Sequence, residues 1–247
     1  VDAETVLYVP QDDRPVSLQY TVDTAKAAGM TVLTPPQNLI SGKTYKGQAD
    51  QIWNWVEQNA GRADVMVLST DTLIYGGLVD SRKHNLPLST LENRLKRIEA
   101  LKANHKNIRI YGFGTVMRSP RASGGGTEPS YYADYGPTIF QIAALQDKLD
   151  AGTLTQAETQ KLMSLQASVP VEYLQDWFSR RQKNMQVNKD LIDEARNGVF
   201  AYFALGHDDT SQLSQSALEG RYLNQYSKGI PRTQYGSFPG ADQLGLL

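Results

Sequence analysis

The sequence predicts an α/β protein, a mostly parallel sheet of strand–helix units arranged as an open sheet or a partial barrel. Three observations lead there. Short apolar runs recur at residues 5–10, 31–34, 64–69, 108–112 and 199–205. They carry few alternating polar positions, which suits strands covered on both faces. Helical periods separate the runs, and repeated strand–helix alternation implies parallel pairing through right-handed crossovers.

The elements follow in order. The first four strands begin about every 25 to 45 residues, the ordinary spacing of strand–helix units. Between the third and fourth, residues 89–105 read as a helix with Leu91, Leu95, Ile98 and Leu101 on one stripe. Ser89 and Glu92 stand in capping-box register at its start. Roughly 90 residues then separate the fourth strand from the fifth, too many for one crossover. Residues 118–136, with Gly124, Gly125, Gly126 and three tyrosines, read as a loop. Three helices follow: one from about Pro137, one capped by Thr155 and Glu158, and one from Pro170 towards Gly198. Residues 119–198 are therefore a helical insertion within one domain spanning 1–247. Arg180 and Arg181 are expected on its solvent face, with Trp177 and Phe178 packed. Residues 230–238 read as a sixth strand. The turn at Pro239–Asp242 leads into only a few more residues, so a C-terminal remainder of the same protein is expected to complete the fold.

Composition narrows the function. With 25 basic and 26 acidic side chains in 247 residues, the formal net charge is −1. That balance excludes a general nucleic-acid or anionic-membrane binder, which needs a basic surplus. Residues 65–79 are the best apolar stretch, but Asp71, Gly76 and Gly77 interrupt it, and a membrane span needs roughly 20 apolar residues. Cysteine is absent, so disulfides, thiolate metal sites and Cys nucleophiles are excluded. The chain opens at Val1, compatible with removal of a signal peptide or an upstream segment.

Chemistry in parallel α/β folds sits at the carboxyl ends of the strands. Asp12, Asp13 and Arg14 follow the first run, and Asp71, Tyr75, Gly76, Gly77, Asp80 and Arg82 follow the third. Arg118 follows the fourth, His207, Asp208 and Asp209 the fifth, and Asp242 the sixth. Each cluster has a structural explanation: turns at Asp12–Asp13, helix caps at Asp71 and Asp208–Asp209, and arginines that neutralise them. Taken together, acidic groups at successive strand ends predict a cleft on one rim. Phosphate loops, nucleophile elbows and His-Glu-x-x-His motifs are absent. Gly112 and Gly114 lack the rest of a dinucleotide fingerprint. His84 and His105 fall where exposure is expected, and only His207 stands beside carboxylates.

The motifs resemble a bacterial family known as domain of unknown function 4127. Val9-Pro10-Gln11-Asp12-Asp13-Arg14-Pro15-Val16 is similar to its Pro-Leu-Asp-Asp-Arg-Pro-Val opening, with Gln11 in place of Leu. Pro35-Pro36, Ser69 through Val79, Ser81-Arg82, Met117-Arg118, Gly206-His207-Asp208-Asp209 and Pro239-Gly240-Ala241-Asp242 continue the series in order. Gln243 stands where the family tends to carry Glu. The resemblance implies a longer polypeptide that is secreted or associated with the cell envelope, and it supplies no reaction.

Three functions fit these residues. The first is a carbohydrate-active hydrolase in which Asp208 and Asp209 are the catalytic carboxylates. Asp12, Asp13, Arg14, Asp71, Tyr75, Arg82, Arg118 and Asp242 would then bind a small-molecule or glycan substrate without a cofactor. The second is a divalent-metal hydrolase using Asp12, Asp71, Asp208, Asp242 and His207 as ligands. The third is an envelope glycan-binding protein that uses the same cleft without turnover.

Overall fold

The computed structural model describes residues 3–123, 125–207 and 212–240. Its strands are β1 (Thr5–Val9), β2 (Thr31–Leu33), β3 (Val65–Ser69), β4 (Arg109–Val116), β5 (Tyr202–His207) and β6 (Tyr235–Pro239). They form one sheet in the order β2-β1-β3-β4-β5-β6, and every neighbouring pair is parallel. Among the described residues the sheet is open, not a partial barrel, with β2 and β6 at its edges. From β1 the chain steps one way to β2 and then back across β1 to β3. The carboxyl ends of β1 and β3 therefore flank a topological switch point, where such sheets hold their ligands.

Handedness decides which face each helix covers. The step to β2 runs opposite to all later steps among the described residues, so right-handed crossovers put α1 (Gln19–Ala27) on the face opposite the later crossover helices. The other face carries α2 (Ala49–Asn59), α3 (Thr70–Tyr75), α4 (Leu78–Lys83), α5 (Leu88–Asn104) and later helices. The main core lies there: Leu7, Met66, Leu68, Ile110 and Phe203 of the sheet pack against Trp53, Leu91, Ile98 and Leu191. On the α1 face, Tyr8, Phe113 and Ala204 are buried while Val67, Tyr111, Tyr202 and Phe238 are only partly covered. That face holds an apolar groove of about 690 Å³.

The helices between β4 and β5 are α6 (Tyr132–Asp150), α7 (Gln156–Ala167) and α8 (Val171–Arg196). The capping box of Thr155 and Glu158 is present. The expected start near Pro137 is corrected: Pro137 lies inside α6. Burial of Tyr132 overrides the proline, because its ring packs 4.7 Å from Trp177 and its hydroxyl donates to the Pro120 carbonyl. The insertion has its own small core of Tyr132, Ile139, Ile142, Leu162, Val169 and Trp177. Only the first half of α8 belongs to it. Val187, Leu191, Ile192 and Ala195 join the main core, so the second half of α8 is the crossover helix that covers the sheet. Helix α9 (Gln215–Tyr226) then leads to β6.

Other expectations are corrected. Strand β4 runs on to Val116, past the expected end at 112. Gly112 and Gly114 sit mid-strand because a Cβ there would meet the Phe200 ring at 2.6 Å or Thr70 Oγ1 at 2.4 Å. The capping box of Ser89 and Glu92 does not form, since α5 begins at Leu88 behind Pro87. Arg180, Arg181 and His84 are buried rather than exposed. Each is held by partners distant in sequence, described below.

Candidate functional site at the switch point

The loop leaving β1 is clamped before it reaches its charged residues. The Pro10 carbonyl accepts the Thr72 hydroxyl at 2.6 Å, and the Gln11 carbonyl accepts the Leu78 N–H at 3.0 Å. Asp12 is buried and turns back on its own loop. It accepts the Arg14 N–H at 3.2 Å and the Arg14 Nε–H at 2.8 Å. The structural explanation thus holds for Asp12, while Arg14 stays 42% exposed at the rim. Asp13 donates its N–H to the Ser41 carbonyl at 2.9 Å. Partial burial, then the neighbouring Asp12 charge, push its carboxyl upward.

Asp71 is different. Ser69 caps α3 by accepting the Thr72 N–H, so Asp71 is not the cap. Its carboxyl is 3% exposed and accepts the Thr115 hydroxyl at 2.6 Å. Burial pushes it up to about 7, against the opposing pull of the Thr115 hydrogen bond and the Arg82 charge. One helical turn on, the Tyr75 hydroxyl is buried without a partner among the described residues. Burial, reinforced by the Asp71 charge, holds that phenol well above its usual range.

The Tyr75 ring stacks on His84 at 4.8 Å. His84 Nδ1 accepts the Leu86 N–H, which leaves Nε2 to donate to Asn184 Oδ1 at 2.7 Å. Asn184 in turn donates to the Ser81 carbonyl, and Arg180 Nε to the His84 carbonyl. Burial lowers His84 to about 4, so it is a neutral, fixed wall behind Tyr75. Its burial comes from α8, about 100 residues away, and no local pattern announces it.

Arg82 is buried on α4. Arg118 is engaged by its own loop, donating to Thr127 at 2.6 Å and from Nε to Glu128 at 2.9 Å. His207 ends β5, its Nε2 buried without a partner among the described residues, and burial lowers its pKa. Asp208, Asp209 and Asp242 lie outside the described residues. Asp12, Asp13 and Asp71 share the carboxyl edge of the sheet, as the strand-end reading expected. Tyr131, Tyr135 and Tyr173 form a ring cluster within the insertion. Sequence reading missed Thr115, a hydroxyl inside an apolar strand, and the basic loop at residues 42–47.

That loop is held by close backbone contact. Gly47 donates its N–H to Asp80 Oδ2 at 3.0 Å, and a Cβ at Gly47 would lie 1.8 Å from the Gly76 carbonyl oxygen. Gly76 itself has φ 110° as the left-handed cap of α3. Gly47→Ala should therefore cost roughly 1–3 kcal/mol or more, as overpacking against backbone does. Gly61→Ala, where nothing lies within 4 Å, should be close to neutral. Melting temperatures of the two variants check the contrast.

Among the described residues, no three His, Cys, Asp or Glu gather within reach of one metal ion, and no helix is long and apolar enough to cross a membrane. No curated protein matches the chain. The model of one family, described as a protein of unknown function (DUF4127), matches residues 6–247. The chain belongs to that family.

Proposed function

We propose that this protein is a carbohydrate-active hydrolase working by general acid–base catalysis, with Asp71 as the proton-donating carboxyl. One observation carries this reading. Asp71 is a buried carboxyl at the topological switch point, spared from helix capping and held by Thr115 with Arg82 nearby. A carboxyl kept protonated near neutrality is what donation to a glycosidic oxygen requires. Tyr75 supplies a second proton donor beside it, and Arg14 an exposed cation at the rim. Asp208 and Asp209, next after β5 in sequence, are the candidates for the second carboxyl that such enzymes need. Arg82 tunes Asp71 and does not touch the sugar in this reading. Export to the cell envelope is part of the proposal, since that is where polymeric glycans are met.

The test is hydrolysis of a panel of aryl glycosides, with and without a chelator. Turnover should fall as pH rises through about 7, where Asp71 loses its proton. Turnover abolished by the chelator would favour a metal hydrolase instead. Saturable glycan binding without turnover of any substrate would leave a binding protein.

A further inference from the structure

We infer that the cavity between residues 42–51 and α4 binds an oxyanion, the phosphate or carboxylate of a small polar molecule of sugar size. The inference rests on the proposed function only in treating this molecule as the hydrolase's substrate. The cavity measures about 690 Å³, within the range of small-molecule sites. One wall is the loop from Gly42 and the start of α2, the other runs from Val79 to Leu86, and Tyr75, Arg94, Gly125 and Gly126 also line it.

Four cations line this space, Lys43, Lys46, Lys83 and Arg94, against two carboxylates, Asp50 and Asp80. The cations remain in surplus. Asp80 accepts the Gly47 N–H at 3.0 Å and shares its charge between Lys46 and Lys83, while Lys83 also donates to the Gly126 carbonyl and Arg94 to the Ile74 carbonyl. Asp50 is 79% exposed and meets Arg94 at only 3.3 Å, a contact of little weight at a solvated surface. Helix α2 has 11 residues and begins without a side-chain cap. Its first N–H groups, on Ala49, Asp50 and Gln51, belong to the segment that lines the cavity. An uncapped helix start favours anions.

Two buried donors point to a missing acceptor. The Tyr75 hydroxyl and Arg94 Nε are both buried without a partner among the described residues. Tyr75 is only 8% exposed, and burial keeps its phenol protonated. A buried donor left unpaired is costly, and both donors belong to residues that line the cavity. Tyr75, one turn on from Asp71 in α3, is the lining residue that lies between this cavity and the proposed acid.

The experiment is calorimetric titration of the chain with inorganic phosphate, glucuronate and glucose. Phosphate and glucuronate should bind saturably and weaken with salt, while glucose should not bind. The double variant Lys43→Gln, Lys46→Gln alters two exposed side chains and should weaken binding at least tenfold. Lys161→Gln, an exposed change on α7, should leave it unchanged. The tighter of the two oxyanions identifies the ligand's acidic group. Absence of saturable binding, equal binding by the double variant, or glucose binding as tightly as glucuronate would overturn the inference. Asp71→Asn should retain phosphate affinity. Phosphate binding without glycoside turnover removes the hydrolase reading alone, and turnover of neutral glycosides without oxyanion binding removes this one alone.

Discussion

Asp71→Asn should lower turnover by roughly a hundredfold or more while making the protein less sensitive to alkaline pH. The second effect follows from linkage. The Asp71 carboxyl is raised from 3.8 to about 7 in the folded state, so folding favours its protonated form. Its contribution is fully present below the unfolded pKa and is lost as pH rises through the folded one. At about 1.4 kcal/mol per pKa unit, the loss is roughly 4 kcal/mol between about pH 3 and pH 8. Asparagine cannot ionise and can still accept the Thr115 hydroxyl, so the variant escapes this loss. Glu194 complicates the wild-type curve. Burial, with Glu99 nearby, raises it to about 9, and it loses stability with the same sign. The difference between variant and wild type cancels Glu194 and isolates Asp71. Urea unfolding of both proteins across that pH range gives the difference curve. A flat curve, or unchanged turnover in the variant, would remove Asp71 from the role of acid.

Most of this edge was legible in the sequence because apolar runs end where the strands end. The runs at 5–10 and 64–69 place Asp12 and Asp71 beyond their last residues, and parallel topology brings both to one edge. Legibility failed where a local signal had two physical causes. Gly112 and Gly114 read as part of an incomplete fingerprint after a run ending at 112, yet they lie within β4 and are small because the Phe200 ring and Thr70 press against it there. Pro137 read as a helix start, yet burial of Tyr132 extends α6 backwards past it. Arg180 and Arg181 read as solvated charges, the usual fate of adjacent arginines. A helical count tells otherwise: Trp177, Arg181, Asn184 and Asn188 follow at intervals of four, three and four residues, one buried stripe along α8. Nothing local distinguishes a buried polar stripe from an exposed one, because the partners that make it affordable lie on other elements.

Arg181→Met is expected to be among the most destabilising single changes in the chain, at roughly 3–5 kcal/mol. The guanidinium is 1% exposed and grips Glu219 of α9 with two bonds, Nε at 2.8 Å and Nη2 at 3.0 Å. It also donates to the Met117 carbonyl at 2.6 Å and the Arg118 carbonyl at 3.0 Å. One side chain therefore fixes α8, α9 and the chain leaving β4, the strand whose Thr115 holds Asp71. Removing it takes both guanidinium bonds from the buried Glu219 carboxylate, which keeps the Gln215 amide, and one donor each from the Arg118 carbonyl and the Met117 carbonyl, which keeps the Ser216 hydroxyl. Arg181→Lys should recover only part of the loss, since an ammonium cannot reproduce the two-pronged grip while reaching both carbonyls. Pairing Arg181→Met with Glu219→Leu should cost much less than the two single changes added together, because no charge is then stranded. Urea midpoints at constant m-value measure the wild type and the four variants. If Arg181→Met alone loses less than about 1 kcal/mol, the size of one ordinary hydrogen bond, this cluster does not hold the edge of the sheet in place.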